Sequence, residues 1–428
     1  MHKFRAFLFI FVSLLISSTC LAYIPQPESE GKFFPGKGTK SSESYESNAG
    51  MPIYDYAKGI QWGPLHLKPS VDYGFHWTDN VFLDEDNLKS DYVNRLYAGL
   101  DAELPLGGGQ HLLSGGYRVH QEWFERFSAQ NHTDHRGNVG LKLNFVRFTL
   151  DADDTYERTV SRADTEFTTR VQRDENAFRS LVEVPFASFF LENEITDFDV
   201  SYSSGANQIF DHNLFTVYQR AGYDLGPNTQ VLAEYAFINI AYDADTLGNR
   251  DGDGHQYTLG IRGKFTERIA YQFWGGGQDR VYDEDTRPDF HGFIFRSAVQ
   301  WDSSETNRFI VKGDRTPQES TFDNQSYYTR NRVEMSWRRQ LAERWFFNSH
   351  VLAAYHEYSR ITVVPVATSP QEITRRDHSW DTGFGIEYMM PNDIVSLSLD
   401  YRFSNRDSNL NGLDYAANEI TAGVRAYF

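Results

Sequence analysis

Residues 418–428 constrain this chain more than any other stretch. Ile420, Ala422, Val424, Ala426 and Phe428 alternate with Glu419, Thr421, Gly423, Arg425 and Tyr427, so a strand made of them has one apolar and one charged face. A soluble sheet would turn the apolar face to a core. A transmembrane barrel turns it to lipid and the polar face to the lumen, and all its strands must then repeat the pattern.

The chain does repeat it. Leu96, Ala98, Leu100, Ala102 and Leu104 oppose Arg95, Tyr97, Asp101 and Glu103, and Leu113, Gly115, Tyr117 and Val119 oppose Ser114, Arg118 and His120. Val139, Leu141, Leu143 and Phe145 lead into Val146, Phe148, Leu150 and Ala152, with Arg147, Thr149, Asp151 and Asp153 on the other face. Further runs pass through Val182, Ala233, Leu259, Phe295, Met335, Phe384 and Leu399. At roughly 20 residues per strand and turn, the chain beyond residue 60 makes an all-β, antiparallel transmembrane barrel of about 18 strands.

Turn lengths support the same reading. Short turns at 107–109, 226–228, 266–267 and 391–393 are expected in the periplasm. Longer polar stretches at 84–89, 125–134, 161–174, 243–254, 279–289, 316–324, 361–376 and 405–415 are expected outside the cell. A β-sandwich or β-helix has no reason to alternate its turns this way.

The first residues read as an export signal. Lys3 and Arg5 precede an apolar run at 6–16 and small residues up to a cut after Ala22, so residues 1–22 form a signal peptide. The run is too short for a membrane anchor. Cys20 is the single cysteine; lipidation there would need a large apolar residue near Ser17, and otherwise the mature chain has no thiol. Residues 23–60 are rich in Pro, Gly, Ser, Glu and Lys and read as a disordered periplasmic arm, either a linker or a plug.

Composition excludes other classes. The mean hydropathy of -0.55 rules out a helical membrane protein but suits a barrel, where alternate residues face water. Aromatic residues make up 15% of the chain, enough for two interfacial girdles. The net charge of -18 argues against binding nucleic acid.

Strand parity assigns the lumen face. It carries Arg95, Arg118, Arg147, Arg179, Arg262, Arg296, Arg332, Arg338, Arg402 and Arg425. Among them stand Asp101, Glu103, Asp151, Asp153, Glu183, Glu192, Glu194, Glu234, Glu334, Glu387, Asp400 and Glu419. Two readings stay open: cross-strand pairs that stiffen the wall, or a charged selectivity lining. Tyr97, Tyr218, Trp274 and Tyr427 share the face and are candidates to stack sugar rings.

No motif points to catalysis, a metal or a cofactor. Asn249, Asp251 and Asp253 begin like a calcium loop, but Gly260 stands where the bidentate Glu belongs. His132, Asp134 and His135 lack a completing cluster. Ser349 and His350 are adjacent on one strand and so point to opposite faces.

Asp79-Asn80-Val81-Phe82, followed by Lys89-Ser90-Asp91-Tyr92 and a strand into Gly99, resembles the opening of the "putative β-barrel porin type 2" group of outer-membrane proteins. Gly115-Gly116-Tyr117, the strand at 254–260, Gly275-Gly276-Gly277 and the stretch at 301–315 are similar to its repeating pattern. The resemblance spans residues 65–428. It implies a Gram-negative outer-membrane barrel surrounded by lipid, recognised by the barrel-assembly machinery through Phe428. Members are often associated with exopolysaccharide or capsule production, which implies an export pore served by periplasmic partners. The alternatives are a general diffusion porin for small solutes, expected to fold one loop inward, and a barrel enzyme or structural barrel.

Overall fold

The computed structural model describes residues 59–160, 166, 170–244, 249–322, 325–364, 371–391 and 393–428. The expected signal peptide, Cys20 and nearly all of the expected arm lie outside these residues. A short strand β1 (Ile60–Trp62) folds back on β2 (Leu65–Thr78). There follow β3 (Asp91–Leu106), β4 (His111–Phe124), β5 (His132–Asn144), β6 (Thr149–Thr159), β7 (Arg173–Phe186), β8 (Phe189–Tyr202), β9 (His212–Gly226) and β10 (Thr229–Tyr242). Next come β11 (Gly252–Thr266), β12 (Ile269–Tyr282), β13 (Phe290–Ser304), β14 (Asn307–Glu319) and β15 (Tyr327–Ala342). The last are β16 (Trp345–Val364), β17 (Gln371–Met389), β18 (Val395–Ser408) and β19 (Tyr415–Tyr427).

Each strand from β2 to β19 pairs antiparallel with the next, and β19 pairs with β2 from Glu419↔Thr78 to Tyr427↔Ser70. The ring of eighteen strands is therefore closed, and no backbone edge is left to meet lipid. The motif at residues 79–80 locks that seam. Asp79 accepts hydrogen bonds from the Asn418 backbone and side chain, both at 2.7 Å, and the buried Asn80 amide donates to the Ala416 carbonyl at 2.9 Å.

Burial follows the alternation. On β11, Tyr257 and Leu259 face outward and are exposed, while Gln256 and Thr258 face inward and are buried. An aromatic row crosses the outer face near the short turns: Trp301, Phe309 and Trp337 stack in succession and Phe347 meets Trp337 edge-on, with centroids 5.2–5.6 Å apart. Such rings mark the membrane interface.

Short turns gather at one end and longer loops at the other, which sets the periplasmic and outer sides. Gly107, Gly108 and Gly109 all have positive φ, a run that residues with a Cβ rarely adopt. Pairing also staggers the wall by about one residue per strand, which tilts the strands. One hydrogen-bonded row shows this: Leu104, Leu113, Leu141, Ala152, Ser180, Ile195, Val217, Phe237, His255, Asp279 and His291. The row starts beside a periplasmic turn and climbs to an outer loop.

Three local expectations change. The apolar run at 139–152 is broken by a turn at 145–148, because Phe145 and Phe148 close a backbone hydrogen bond of 2.9 Å across it. Arg147 therefore lies exposed in a periplasmic turn and does not line the lumen. The stretch at 361–376 is mostly strand, since β16 and β17 extend past the barrel rim, and residues 203–211 form an outer loop that the periodicity did not mark.

Pore lining and constriction

The other arginines expected in the lumen are there, and each is ion-paired within the wall. Arg95 binds Glu122 at 2.7 Å, Arg118 binds Asp101 at 3.3 Å, and Arg332 binds Asp314 at 2.8 Å. Arg338 binds Glu387 at 3.1 Å, Arg425 binds Asp72 at 2.6 Å, and Arg402 reaches both Asp381 and Glu419. Lys312 faces Glu334 at 3.8 Å, and Glu103 takes Lys68 at 3.5 Å. Asp151 stands directly opposite Lys142 and Glu183 opposite Glu192, while the Asp400 carboxylate lies over Gly385, where a Cβ would strike it.

The densest part spans β6 to β13. Arg179 bridges Asp153 and Glu194, Arg220 reaches Glu192, Glu194 and Glu234, and Arg262 also takes Glu192. Glu234 further accepts from Arg296 at 2.8 Å, Gln256 at 2.7 Å and Thr258 at 2.8 Å. Strict inward parity on neighbouring strands forces these charges together, and burial makes any unpaired member costly. The structure thus supports wall stiffening over a free cationic lining.

The inner rings are occupied too. Trp274 lies between the guanidinium groups of Arg220 and Arg296, at 5.4 and 5.2 Å. Tyr97 stacks on His120 with centroids 4.0 Å apart, Tyr218 is fully buried, and Tyr427 receives a hydrogen bond from Arg425. Tyr218 and Trp274 are thus buried in the wall, while Tyr97 and Tyr427 stay half-exposed with partners of their own.

The discounted motifs also resolve. The Asn249 and Asp251 side chains accept backbone N–H groups of their own loop, and Asp253 takes Asn239. His132 and Asp134 face inward, while His135 faces outward against Tyr117. His350 turns inward to Asp381 at 2.7 Å, whereas Ser349 sits on the outer face between Trp337 and Phe384.

Across the outer mouth lies a feature that periodicity did not reveal. Buried Glu166 belongs to the β6–β7 loop, yet it accepts hydrogen bonds from Ser320 Oγ at 2.7 Å, Thr321 N at 2.6 Å and Thr321 Oγ1 at 2.9 Å. Those residues belong to the β14–β15 loop, eight strands away around an eighteen-strand ring. Farther along the same loop, Arg170 binds Glu122 at 3.1 Å on the inner wall and lies 5.0 Å from the Phe124 ring centroid. Val171 packs with Val200, Tyr202 and Phe210. Glu166 thus reaches across the mouth, while Arg170 and Val171 hold to the near wall.

Its landing site is held by buried arginines. Arg250 donates to the Ser320 and Gln325 carbonyls, and Arg375 lies between the rings of Phe322 and Tyr358 at 4.2 and 4.4 Å. Arg287, in the adjacent outer loop, donates to Ser326 Oγ at 3.2 Å. Burial, with Arg250 nearby, holds its pKa below the ordinary arginine value. Length and polarity marked residues 161–174 as a long loop, but direction depends on partners more than 150 positions away.

The chain has distant likenesses among solved structures. OccAB3 of Acinetobacter baumannii shares 11% identity and a TM-score of 0.44, over 85% of this chain and 99% of that one. The outer-membrane protein OpdK of Pseudomonas aeruginosa shares 10% identity and a TM-score of 0.45, over 85% and 99%. OccK8 (OprE) of Pseudomonas aeruginosa shares 9% identity and a TM-score of 0.46, over 85% and 98%. No curated protein matches the sequence. Residues 51–428 match the family described as "Putative beta-barrel porin 2", and the chain, an outer-membrane β-barrel of porin type, belongs to that family.

Proposed function

We propose that this barrel is a passive pore for small solutes, narrowed at its outer mouth by the inward-folded β6–β7 loop. The observation that carries the reading is the bridge from Glu166 to Ser320 and Thr321. A ring of this size encloses a lumen wide enough for water, so some element must set the size limit. The paired wall charges leave little net field inside, while Asp84, Glu85, Asp86, Asp283, Glu284 and Asp285 make the outer rim acidic. Such a rim favours cations over anions. With Tyr218 and Trp274 buried, the two half-exposed inner rings Tyr97 and Tyr427 do not make a continuous track for a sugar chain, which weighs against the export reading.

The test is liposome swelling with neutral solutes of rising mass, combined with bilayer conductance in the presence of polysaccharide fragments. A sharp size limit with no polymer blockade supports the proposal. Blockade by one polysaccharide class would return the pore to export, and no conductance at all would leave a structural barrel.

A further inference from the structure

Among the described residues, the lipid-facing side of the wall at mid-depth carries apolar residues and isolated hydroxyls, with Arg315 bonded to Asn331 higher up, except across four adjacent strands. There Asp154 on β6, Ser180 on β7, Asn193 on β8 and Gln219 on β9 all point outward. Each has apolar outward neighbours on both sides along its strand: Ala152 and Tyr156, Val182 and Phe178, Leu191 and Ile195, Ala221 and Val217. They therefore sit inside the band that meets hydrocarbon, not at its rim.

They also share one level. Ala152, Ser180, Ile195 and Val217 form one hydrogen-bonded row, which climbs toward the outer end from β6 to β9. Asp154 lies two residues above the row on β6, Ser180 on it, and Asn193 and Gln219 two residues below it. These steps offset the stagger of about one residue per strand, so the seam runs parallel to the membrane plane.

A carboxylate and two side-chain amides against lipid are costly, and such groups inside a membrane normally face protein or water. Asp154 has one side-chain partner, the Asn176 amide at 3.0 Å, and keeps acceptor capacity to spare. Asn193 and Gln219 face each other directly across β8 and β9. Elsewhere at this depth, Ser297 and Thr382 donate their hydroxyls to wall carbonyls at 3.1 and 3.2 Å. Among the described residues no second four-strand outward seam occurs at this level, and the outward Arg315 is taken up by Asn331 and the Phe293 carbonyl, so a ring of copies joined head to tail has no matching seam to meet.

We propose that this seam is the contact between two copies of the chain, related by a two-fold axis along the membrane normal between β7 and β8. That axis places β6 against the β9 of the other copy, and β7 against its β8. The Asp154 carboxylate then meets the partner subunit's Gln219 amide, and the Ser180 hydroxyl meets the partner subunit's Asn193 amide, at matching depth. Acceptor meets donor at every crossing, as an isologous contact requires.

The test uses the full chain carrying Cys20→Ser. Ser180→Cys and Asn193→Cys variants, differently tagged, are co-expressed and oxidised in native outer membranes. A cross-linked pair holding one of each tag is expected, with none at Ser349→Cys across the barrel, and native mass spectrometry should show a dimer. Asn193→Leu/Gln219→Leu, which makes the face more lipid-like, should lose the dimer and keep the folded, heat-modifiable band. A monomer in the parent protein, a trimer, equal cross-linking at Ser349→Cys, cross-links only to another protein, or a dimer that survives the double leucine change would each overturn the proposal.

Discussion

The bridge across the mouth makes a quantitative prediction for Glu166→Ala. The carboxylate accepts three hydrogen bonds, from Ser320 Oγ, Thr321 N and Thr321 Oγ1, at 2.6–2.9 Å. A hydrogen bond to a charged acceptor contributes about 1.5–3 kcal/mol net when buried. The three share one anchor and are not additive, so the bridge as a whole is worth about 4 kcal/mol. Removing it multiplies the ratio of loop-out to loop-in states by about 10³, since each 1.4 kcal/mol is a factor of ten. The Arg170 contact to Glu122 remains and keeps the near end of the loop on the wall.

Single-channel recording in planar bilayers reads this directly. The parent protein should give one quiet low-conductance level. Glu166→Ala should show frequent excursions to a larger level and a raised solute size limit in swelling assays. Glu166→Gln, which keeps one acceptor oxygen and loses the charge, should fall between them. A Glu166→Ala barrel that migrates as folded yet matches the parent in conductance, noise and size limit would refute the constriction.

Other perturbations separate wall from pore. Asp79→Ala removes both bonds to Asn418 at the seam and should lower stability by about 2–3 kcal/mol, read as a lower urea midpoint for refolded barrels. Glu234→Ala leaves Arg220 and Arg296 buried without their shared carboxylate and should cost about 3–5 kcal/mol, read as loss of the folded band at lower temperature. Arg402→Ala frees Glu419 and leaves Asp381 with His350 alone inside the lumen, and should move the reversal potential toward cation preference, with conductance otherwise kept. Arg147→Ala, in its exposed turn, should change stability by less than about 0.5 kcal/mol and leave selectivity alone.

What the sequence disclosed, and what it withheld, divides along one physical line. Period-two alternation is local, so it placed Arg95, Arg118, Arg262 and Arg425 on the inner face, and the structure finds them there. It failed at Arg147 because apolar residues continue through a tight turn, and alternation alone does not record a reversal of direction. Who pairs with whom is not local. Arg296 meets Glu234 three strands away, and only the register of β10 to β13 brings them within reach. Glu166 is the extreme case, since its partners lie across the barrel.

The same distinction bears on where selectivity resides. An arginine read in isolation suggests an anion path, but the same arginine matched by a carboxylate of the wall contributes little field beyond its own pair. Arg179, Arg220, Arg262 and Arg296 are all matched in this way, so neutral cross-strand bonding governs the middle of the lumen. Residual charge collects where strands end and registers no longer impose partners, on the acidic loops at 84–86 and 283–285. The wall thus supplies rigidity, the rim supplies sign, and the bridging loop supplies the size limit. Each part is open to a separate measurement: melting for the wall, reversal potential for the rim, and solute exclusion for the loop.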